Sequence, residues 1–438
     1  VRDERAPDER ARDERARDER TRDERTRDVR MRGFRARTSV ADALALLEQR
    51  VSALGAETVS LADAAGRVTS DEVVALASVP HFARSAMDGY ALVAEGTFGA
   101  GAYAPRELSI VGDSRPARPF LGALAPGQAV RIATGAPMPE GADAVLMAEH
   151  AREHARGEAA FLEVREAVPP GKHVGAIGED VVRGAQVVAR GRRLRPQDLG
   201  VLASVGVAEI SVVKRPRVRV VITGDELLPP GSAPAGACIV DANSLMVRAL
   251  AERDGAARVT ITTSRDRREQ VRAALLAGDE EVVLISGGSS VGPEDHAPSL
   301  VAELGELWVH GVAMRPASPA GFGLLGEGRV AFLLPGNPVS CLAAYEFFAG
   351  PTIRALGGRS RVWPHARRRC QVASKIVSEL GRTDYVRVAI EGDRARPIMT
   401  SGASILSSTT KADGVVIVEA GDEGHGEGET VEVYLYDA

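Results

Sequence analysis

The chain has 438 residues, of which 44% are hydrophobic and 26% charged, with a formal net charge of −5. That length predicts about three domains, and the mild acidity gives no general pull toward nucleic acid. No apolar run approaches the ~20 residues that span a bilayer, and the N-terminus lacks the apolar core of a signal peptide, so a soluble cytoplasmic protein without membrane contact is expected.

Residues 1–37 are a DER repeat with 14 Arg against 6 Asp and 5 Glu. With almost no apolar side chain it cannot bury a core, and a charged, disordered tail is expected, with Met31 a candidate natural start. At Ser39 the pattern changes. Val40, Leu44, Leu47, Val51 and Leu54 recur at helical spacing, with Ser39 and Asp42 as an N-cap pair. From about Ala56 to Arg215 the runs are short, rich in Val and Ala and broken by Gly and Pro, which predicts two β-rich lobes.

Residues 217–356 alternate strand and helix: "VRVVITG", "NSLMVRALAERDG", "ARVTITT", "RREQVRAALLAG", "EVVLISGG", "APSLVAELG" and "AFLLPGNPVSCLAAYEFFAGPTIRAL". This order implies a mostly parallel, doubly wound sheet that binds ligands at the carboxyl ends of its strands. After "GGRSRVWPHARR", the period-two runs "DYVRVAI", "GVVIVEA" and "TVEVYLY" predict a small β-barrel. The boundaries drawn are 1–37 for the tail, 38–66 for the first helix and linker, 67–168 and 169–215 for the two β-rich parts, 216–357 for the α/β domain and 366–438 for the barrel. Cys238, Cys341 and Cys370 are scattered without a CxxC pair, so neither a disulfide framework nor a zinc–thiolate site is expected.

Polar groups gather at the predicted strand ends: Thr223, Asp225 and Glu226, then Asp241 and Asn243, Asp266, the stretch "SGGSSVGPED" from Ser286 to Asp295, and "LPGNP" from Leu334 to Pro338. One strand-end acid is commonplace, because Asp caps helices; four such loops on one edge are not. Gly287, Gly288 and Gly292 let backbone amides approach an anion. The stretch is no P-loop, since GxxxxGK[ST] is absent. A helix end stabilises an anion by about 0.3–1 kcal/mol, whereas Glu226, Asp266 and Asp295 would repel it by at least as much. A divalent cation between acids and phosphate removes the conflict, which points to a metal-assisted site for a nucleotide or phosphorylated cofactor.

In the β-rich part, "PHFARSAMDGYAL" places Asp88 in a turn, "IATGAPMPEGADAV" places Thr134 beside Gly135, and "GAIGED" ends on Asp180; each taken alone reads as a hairpin turn. A rival signal, "HAREH" from His150 to His154, matches H-x-x-E-H, which would set two zinc ligands on one helical face with Glu153 as base.

Taken in order, "SAMDGYAL", "IATGAPMPEGADAVLMAE", "GED", "TGDEL", "DANS", "SGGSSVGPED", "LPGNPVS", "GRTDYVRV" and "SILSSTTKADG" resemble the molybdopterin molybdotransferases, the MoeA and gephyrin E-domain family, over nearly everything from Ser39 onward. The resemblance implies a transferase of molybdenum cofactor biosynthesis with a molybdopterin-binding doubly wound α/β domain, two β-rich lobes and a C-terminal β-barrel. It implies adenylylated molybdopterin and molybdate as substrates, AMP as product, and Mg²⁺ or another divalent cation. It further implies a homodimer with a cross-subunit site, and other proteins of the same biosynthesis as partners.

Carried over by position, Asp88, Thr134, Asp180, Glu226, Asp266 and Asp295 are the functional polar residues, with Glu226, Asp266 and Asp295 toward the cation. Ser286, Gly287, Gly288, Ser290 and Gly292 fall to the pterin phosphate, Pro335, Asn337, Pro338 and Ser340 to the pterin loop, and Arg387 and Ser404 to molybdate. One departure stands out. Where the family shows K-P-G-K-P, this chain has "RPASP": Arg315 keeps a cation, Ser318 replaces a lysine and Ala317 a glycine. Alanine at a position that needs positive φ adds strain, which leaves a catalytically weakened paralogue, binding molybdopterin or acting as a scaffold, as the alternative.

Overall fold

The computed structural model describes residues 37–290, 292, 295–326, 328–399 and 402–436. The charged repeat up to residue 36 lies outside them, as do Val291, Pro293 and Glu294. The chain divides into two compact units, one made of residues 56–212 and the other of the flanking parts up to residue 55 and from residue 213 onward.

In the 56–212 unit a six-stranded sheet runs in the order Ala144–Met147, Gly89–Leu92, Gln128–Ile132, Arg106–Ser114, Ala159–Val164, Ala151–Arg156. Only Arg106–Ser114 and Gln128–Ile132 pair in parallel. The unit has separate cores. Leu92, Leu108, Leu146 and Leu162 pack within the sheet region, while Val188, Leu194, Leu202 and Val212 pack around the helix Pro196–Ser204. The reading of "HAREH" as a helix is corrected here. Ala151–Arg156 is a strand, held extended by its antiparallel pairing with Ala159–Val164 across a turn where Gly157 has φ +66°. The polar side chains of this stretch are tied up in ion pairs: His150, just before the strand, meets Glu166 at 2.7 Å, His154 meets Glu107 at 3.0 Å, and Glu153 takes Arg131 at 2.6 Å.

The second unit begins with helix α1, Val40–Arg50, whose N-cap Ser39 accepts from the Asp42 amide at 3.0 Å. Strands β1 (Arg217–Thr223), β2 (Arg258–Ser264) and β3 (Val282–Ser286) follow, with helices α2 (Asn243–Arg253), α3 (Arg268–Leu276) and α4 (Ala297–Leu304) between and after them. Next come β4 (Gly305–His310), β5 (Gly321–Leu325) and β6 (Arg329–Leu334), then α5 (Pro338–Ala344) and α6 (Gly350–Leu356). The sheet order is β2-β1-β3-β6-β5-β4. The first four strands are parallel, and the β5 and β4 edge is antiparallel.

Successive residues of β1 serve opposite faces. Val218, Val220 and Ile222 join α1, α2 and the α5–α6 region, whereas Val221 packs with α3 and α4. Five strands, β7 (Arg367–Val372), β8 (Thr383–Glu391), β9 (Arg394–Met399), β10 (Gly414–Val418) and β11 (Thr430–Leu435), close into a barrel through the β8–β10 pairing. Val372, Val386, Val388, Val416 and Val433 fill its interior, while Tyr385 and Val415, on the same strands, pack into the separate core of the α/β sheet. Among the described residues no helix is long and apolar enough to cross a membrane.

Candidate functional site

Strand order reverses between β1 and β3, and a crevice opens there at the carboxyl ends of the parallel strands. It is a cavity of about 600 Å³ lined by the loops after β1, β2, β3 and β6 and by Ser404 from the barrel. Its glycine turn is forced by sterics: Gly287 has φ +96°, and a Cβ there would come within 2.2 Å of the Thr223 carbonyl oxygen. The loop beyond it is pinned at Ser289, whose carbonyl accepts from His310 Nε2 at 3.0 Å. Burial holds the His310 imidazole below its ordinary pKa, against the pull of that hydrogen bond.

Among the described residues four carboxylates line the cavity, Glu226, Asp241, Asp266 and Asp295. Asp241 is committed to α2, accepting from the amides of Asn243 at 2.9 Å and Ser244 at 3.0 Å. Asp295 accepts from the Gly292 amide at 2.7 Å, folding the end of the glycine loop back on itself. Asp266 accepts from the Asp225 amide at 3.3 Å and so ties the loops after β1 and β2 together. Among the described residues no three His, Cys, Asp or Glu gather closely enough to hold a metal ion by themselves. On the far wall Asn337 Oδ1 accepts from Ser404 Oγ at 2.8 Å, and the Val339 amide donates to the Ala403 carbonyl at 3.0 Å, which bring a barrel loop onto the pocket.

The cavity therefore collects Glu226, Asp266, Asp295, Ser286, Gly287, Gly288, Ser290, Pro335, Asn337, Pro338 and Ser404. Gly292 is not on the cavity wall, and its amide is taken by the Asp295 carboxylate at 2.7 Å. Ser340 is buried in α5, and Arg387 is buried on β8 with its guanidinium pKa lowered by desolvation; neither lines the cavity. Arg315 also stays off the wall, held by the Asp384 carboxylate and the Val377 carbonyl. Ala317 has φ +82° and is buried, so alanine sits where the backbone favours glycine. Ser318 beside it has a buried hydroxyl without a hydrogen-bond partner, and the next residue, Pro319, is on the wall.

Asp88, Thr134 and Asp180 belong to the other unit. Asp88 Oδ1 accepts from the Thr134 amide at 2.7 Å and its hydroxyl at 3.0 Å, which holds the carboxyl below the usual range. It lines a separate cavity of about 430 Å³ with Tyr90, Asp113, Arg115 and Arg131. Asp180 is exposed. Sequence reasoning missed the apolar wall of the main cavity, Leu227, Ile239 and Val240. The pairing of Leu227–Leu228 with Ile239–Val240 builds it, and its only trace in the sequence is two short apolar pairs flanking a loop rich in Pro, Gly and Ala.

Family profiles match the chain along most of its length: "MoeA N-terminal region (domain I and II)" over residues 38–206, "Probable molybdopterin binding domain" over 219–355 and "MoeA C-terminal region (domain IV)" over 369–436. Molybdopterin molybdenumtransferase 2 of Mycobacterium tuberculosis is 37% identical over 343 residues, 76% of this chain and 83% of that one. Molybdopterin molybdenumtransferase of Haemophilus influenzae is 30% identical over 396 residues, 89% and 96% of the two chains. The crystal structure of a molybdopterin biosynthesis MoeA protein from Pyrococcus horikoshii superposes with a TM-score of 0.80 at 30% identity, covering 92% of this chain and 100% of that one.

Proposed function

The chain belongs to the MoeA family, and from that premise we propose that it is a molybdopterin molybdenumtransferase of molybdenum cofactor biosynthesis, inserting molybdate into adenylylated molybdopterin with release of AMP. The observation that carries this reading is a cavity in which a glycine turn faces the same space as three acids that, among the described residues, have no arginine or lysine partner. Backbone amides of residues 288–290 and the hydroxyl of Ser290 suit a phosphate ester, while the Gly287 amide is held by the Leu334 carbonyl at 3.3 Å. Asn337, oriented by Ser404, is placed to position the substrate from the opposite wall.

The acids are hard oxygen donors, and they do not form a closed cage. That fits Mg²⁺, which is commonly held by one or two carboxylates together with substrate phosphates. Glu226, Asp266 and Asp295 would hold it, and the ion would supply charge neutralisation on the phosphoanhydride. In its absence the three carboxylates repel a polyanionic substrate, so binding and cation are coupled.

We also assign Asp88, Thr134 and Asp180 to the same reaction, supplied by a second copy of the chain in a homodimer. Equimolar mixing of inactive Asp88→Ala and Asp266→Ala proteins would then restore part of the activity, whereas a single-chain site predicts none.

The decisive assay is AMP release from adenylylated molybdopterin with and without molybdate. Molybdate-dependent release is expected; pterin binding without release would replace this reading with the weakened paralogue. Ala317 at φ +82°, in the stretch where two residues depart from the family pattern, is the feature that favours that second reading.

A further inference from the structure

Three groups of the glycine loop backbone are held from outside the cavity, two of them by other backbone groups. The Gly287 amide donates to the Leu334 carbonyl at 3.3 Å, and the Gly288 carbonyl accepts from the Ala297 amide at 3.3 Å. The third hold is made by a side chain: the Ser289 carbonyl accepts from His310 Nε2 at 3.0 Å. A carbonyl only accepts, so Nε2 carries a hydrogen, a condition that one neutral tautomer and the imidazolium both meet. Burial lowers the His310 pKa, and the neutral ring serves as the donor without adding charge.

His310 reaches the loop from the far edge of the sheet. β4 pairs antiparallel with β5, β5 antiparallel with β6, and β6 parallel with β3, so β4 runs in the direction of β3. Its last residue, His310, therefore emerges at the same edge of the sheet as the glycine loop. Neither His310 nor Ala297 is on the cavity wall, whereas Ser289 and Ser290 are. In a trans peptide the N–H points opposite to the C=O. A Ser289 carbonyl drawn toward a ring behind the wall leaves the Ser290 N–H on the cavity side, and the Gly288 carbonyl does the same for the Ser289 N–H. Among the described residues neither amide has a hydrogen-bond partner.

We propose that His310 is a positioning residue of the reaction: through the Ser289 carbonyl it turns the Ser289–Ser290 peptide so that the Ser290 amide is aimed at the substrate's phosphate ester. It touches no substrate atom itself. This rests on the functional reading above and adds to it a residue from a strand that, among the described residues, gives the cavity wall nothing else.

Met and Gln are close in size and only Gln can donate to a carbonyl, so His310→Met and His310→Gln form the test pair. Molybdopterin, handled anaerobically, is titrated by calorimetry into wild type and both variants, and molybdate-dependent AMP release is followed in parallel. With one amide–phosphate hydrogen bond misaligned, His310→Met is expected to lose roughly 10-fold in molybdopterin affinity and about as much in kcat/KM. His310→Gln should recover most of both at a melting temperature equal to that of His310→Met. Equal losses in the two variants would leave the ring a packing role only and overturn the proposal, as would wild-type affinity in His310→Met; either result leaves the proposed function standing. Should His310→Met not fold, hydrogen exchange of the segment carrying Ser290 in the wild-type protein decides. Protection gained on adding molybdopterin is expected there, and unchanged exchange overturns the assignment. A wild-type protein that neither binds molybdopterin nor releases AMP overturns the functional reading as well.

Discussion

At the amino ends of β1 and β3, acids and arginines are matched. Arg217 meets Asp279 at 2.8 Å and Glu281 at 2.7 Å, and Arg219 meets the buried Glu280 at 3.0 Å. At the carboxyl ends of the same sheet, Glu226, Asp266 and Asp295 face a cavity, and among the described residues no arginine or lysine pairs with them. The apolar strands between are common to both ends. Charge at the first end is settled within the fold, so a ligand has nothing to gain there. At the second end acids without a basic partner among the described residues line one hollow, a pattern expected where a bound species supplies the counter-charge.

The largest effect that tests this contrast is on turnover. Glu226→Gln should lower molybdate-dependent AMP release on the order of 100-fold, the size typical of losing a preorganised electrostatic contact. Its thermal midpoint should be unchanged, because Glu226 is exposed and has no ion-pair partner among the described residues. A variant that loses activity in proportion to stability would erase the distinction between the two ends. The converse experiment is Arg219→Met, which leaves the buried Glu280 with Arg258, 3.9 Å away, as its remaining basic partner among the described residues. Breaking a buried pair in this way costs about 3 kcal/mol, read from urea denaturation, while AMP release per folded molecule stays at the wild-type level.

Sequence and structure agree most closely where local pattern decides. Period and capping residues marked α1, α2, α3 and α4, and strands β1, β2 and β3 were legible as apolar runs closed by Gly or polar residues. Strands β4 and β5 were not. Gly305 carries the chain from α4 straight into β4 without a turn. In β5 the run "GFGLL" is punctuated by glycines, because a Cβ at Gly323 would meet the Glu306 carbonyl oxygen at 2.2 Å. That close approach is a tertiary fact with no local signature.

The carboxylates and glycine loop of the site were legible because strand-end loops in a doubly wound sheet converge on one edge. The apolar wall was hidden because Leu227–Leu228 and Ile239–Val240 meet only through a long irregular loop. The strain at Ala317 was legible as a condition, that the position needs positive φ, and the value of +82° meets it.

That residue gives the next, smaller effect, and it bears on the cavity end alone. Ala317→Gly should stabilise the protein by about 1 kcal/mol, since a left-handed conformation costs an L-residue about that much and glycine nearly nothing. Calorimetric unfolding measures it; an unchanged or lower midpoint would mean that the loop is not strained. An accompanying rise in AMP release would place the loop's conformation, rather than the missing lysine, at the root of any weakened activity.

The smallest effect is a pH dependence belonging to the paired end. Burial pushes the Glu281 carboxyl upward, but hydrogen bonds from the Arg217 side chain and backbone outweigh it and hold the group below its ordinary 4.5. Glu280 is lowered likewise, where its own backbone amide and Arg219 prevail over desolvation. Because the folded state binds these protons less readily than the unfolded chain, their contribution to stability is full above pH 4.5 and is lost as pH falls through the lowered folded values. Arg217→Met removes the partner of Glu281 and Asp279 together, so the fall of unfolding free energy with acidification below pH 4.5 should be shallower than in wild type, in urea titrations taken at several pH values. An equal slope in the two proteins would mean that these pairs are not set up by folding, and the matched end of the sheet would lose its claim to be the stabilising one.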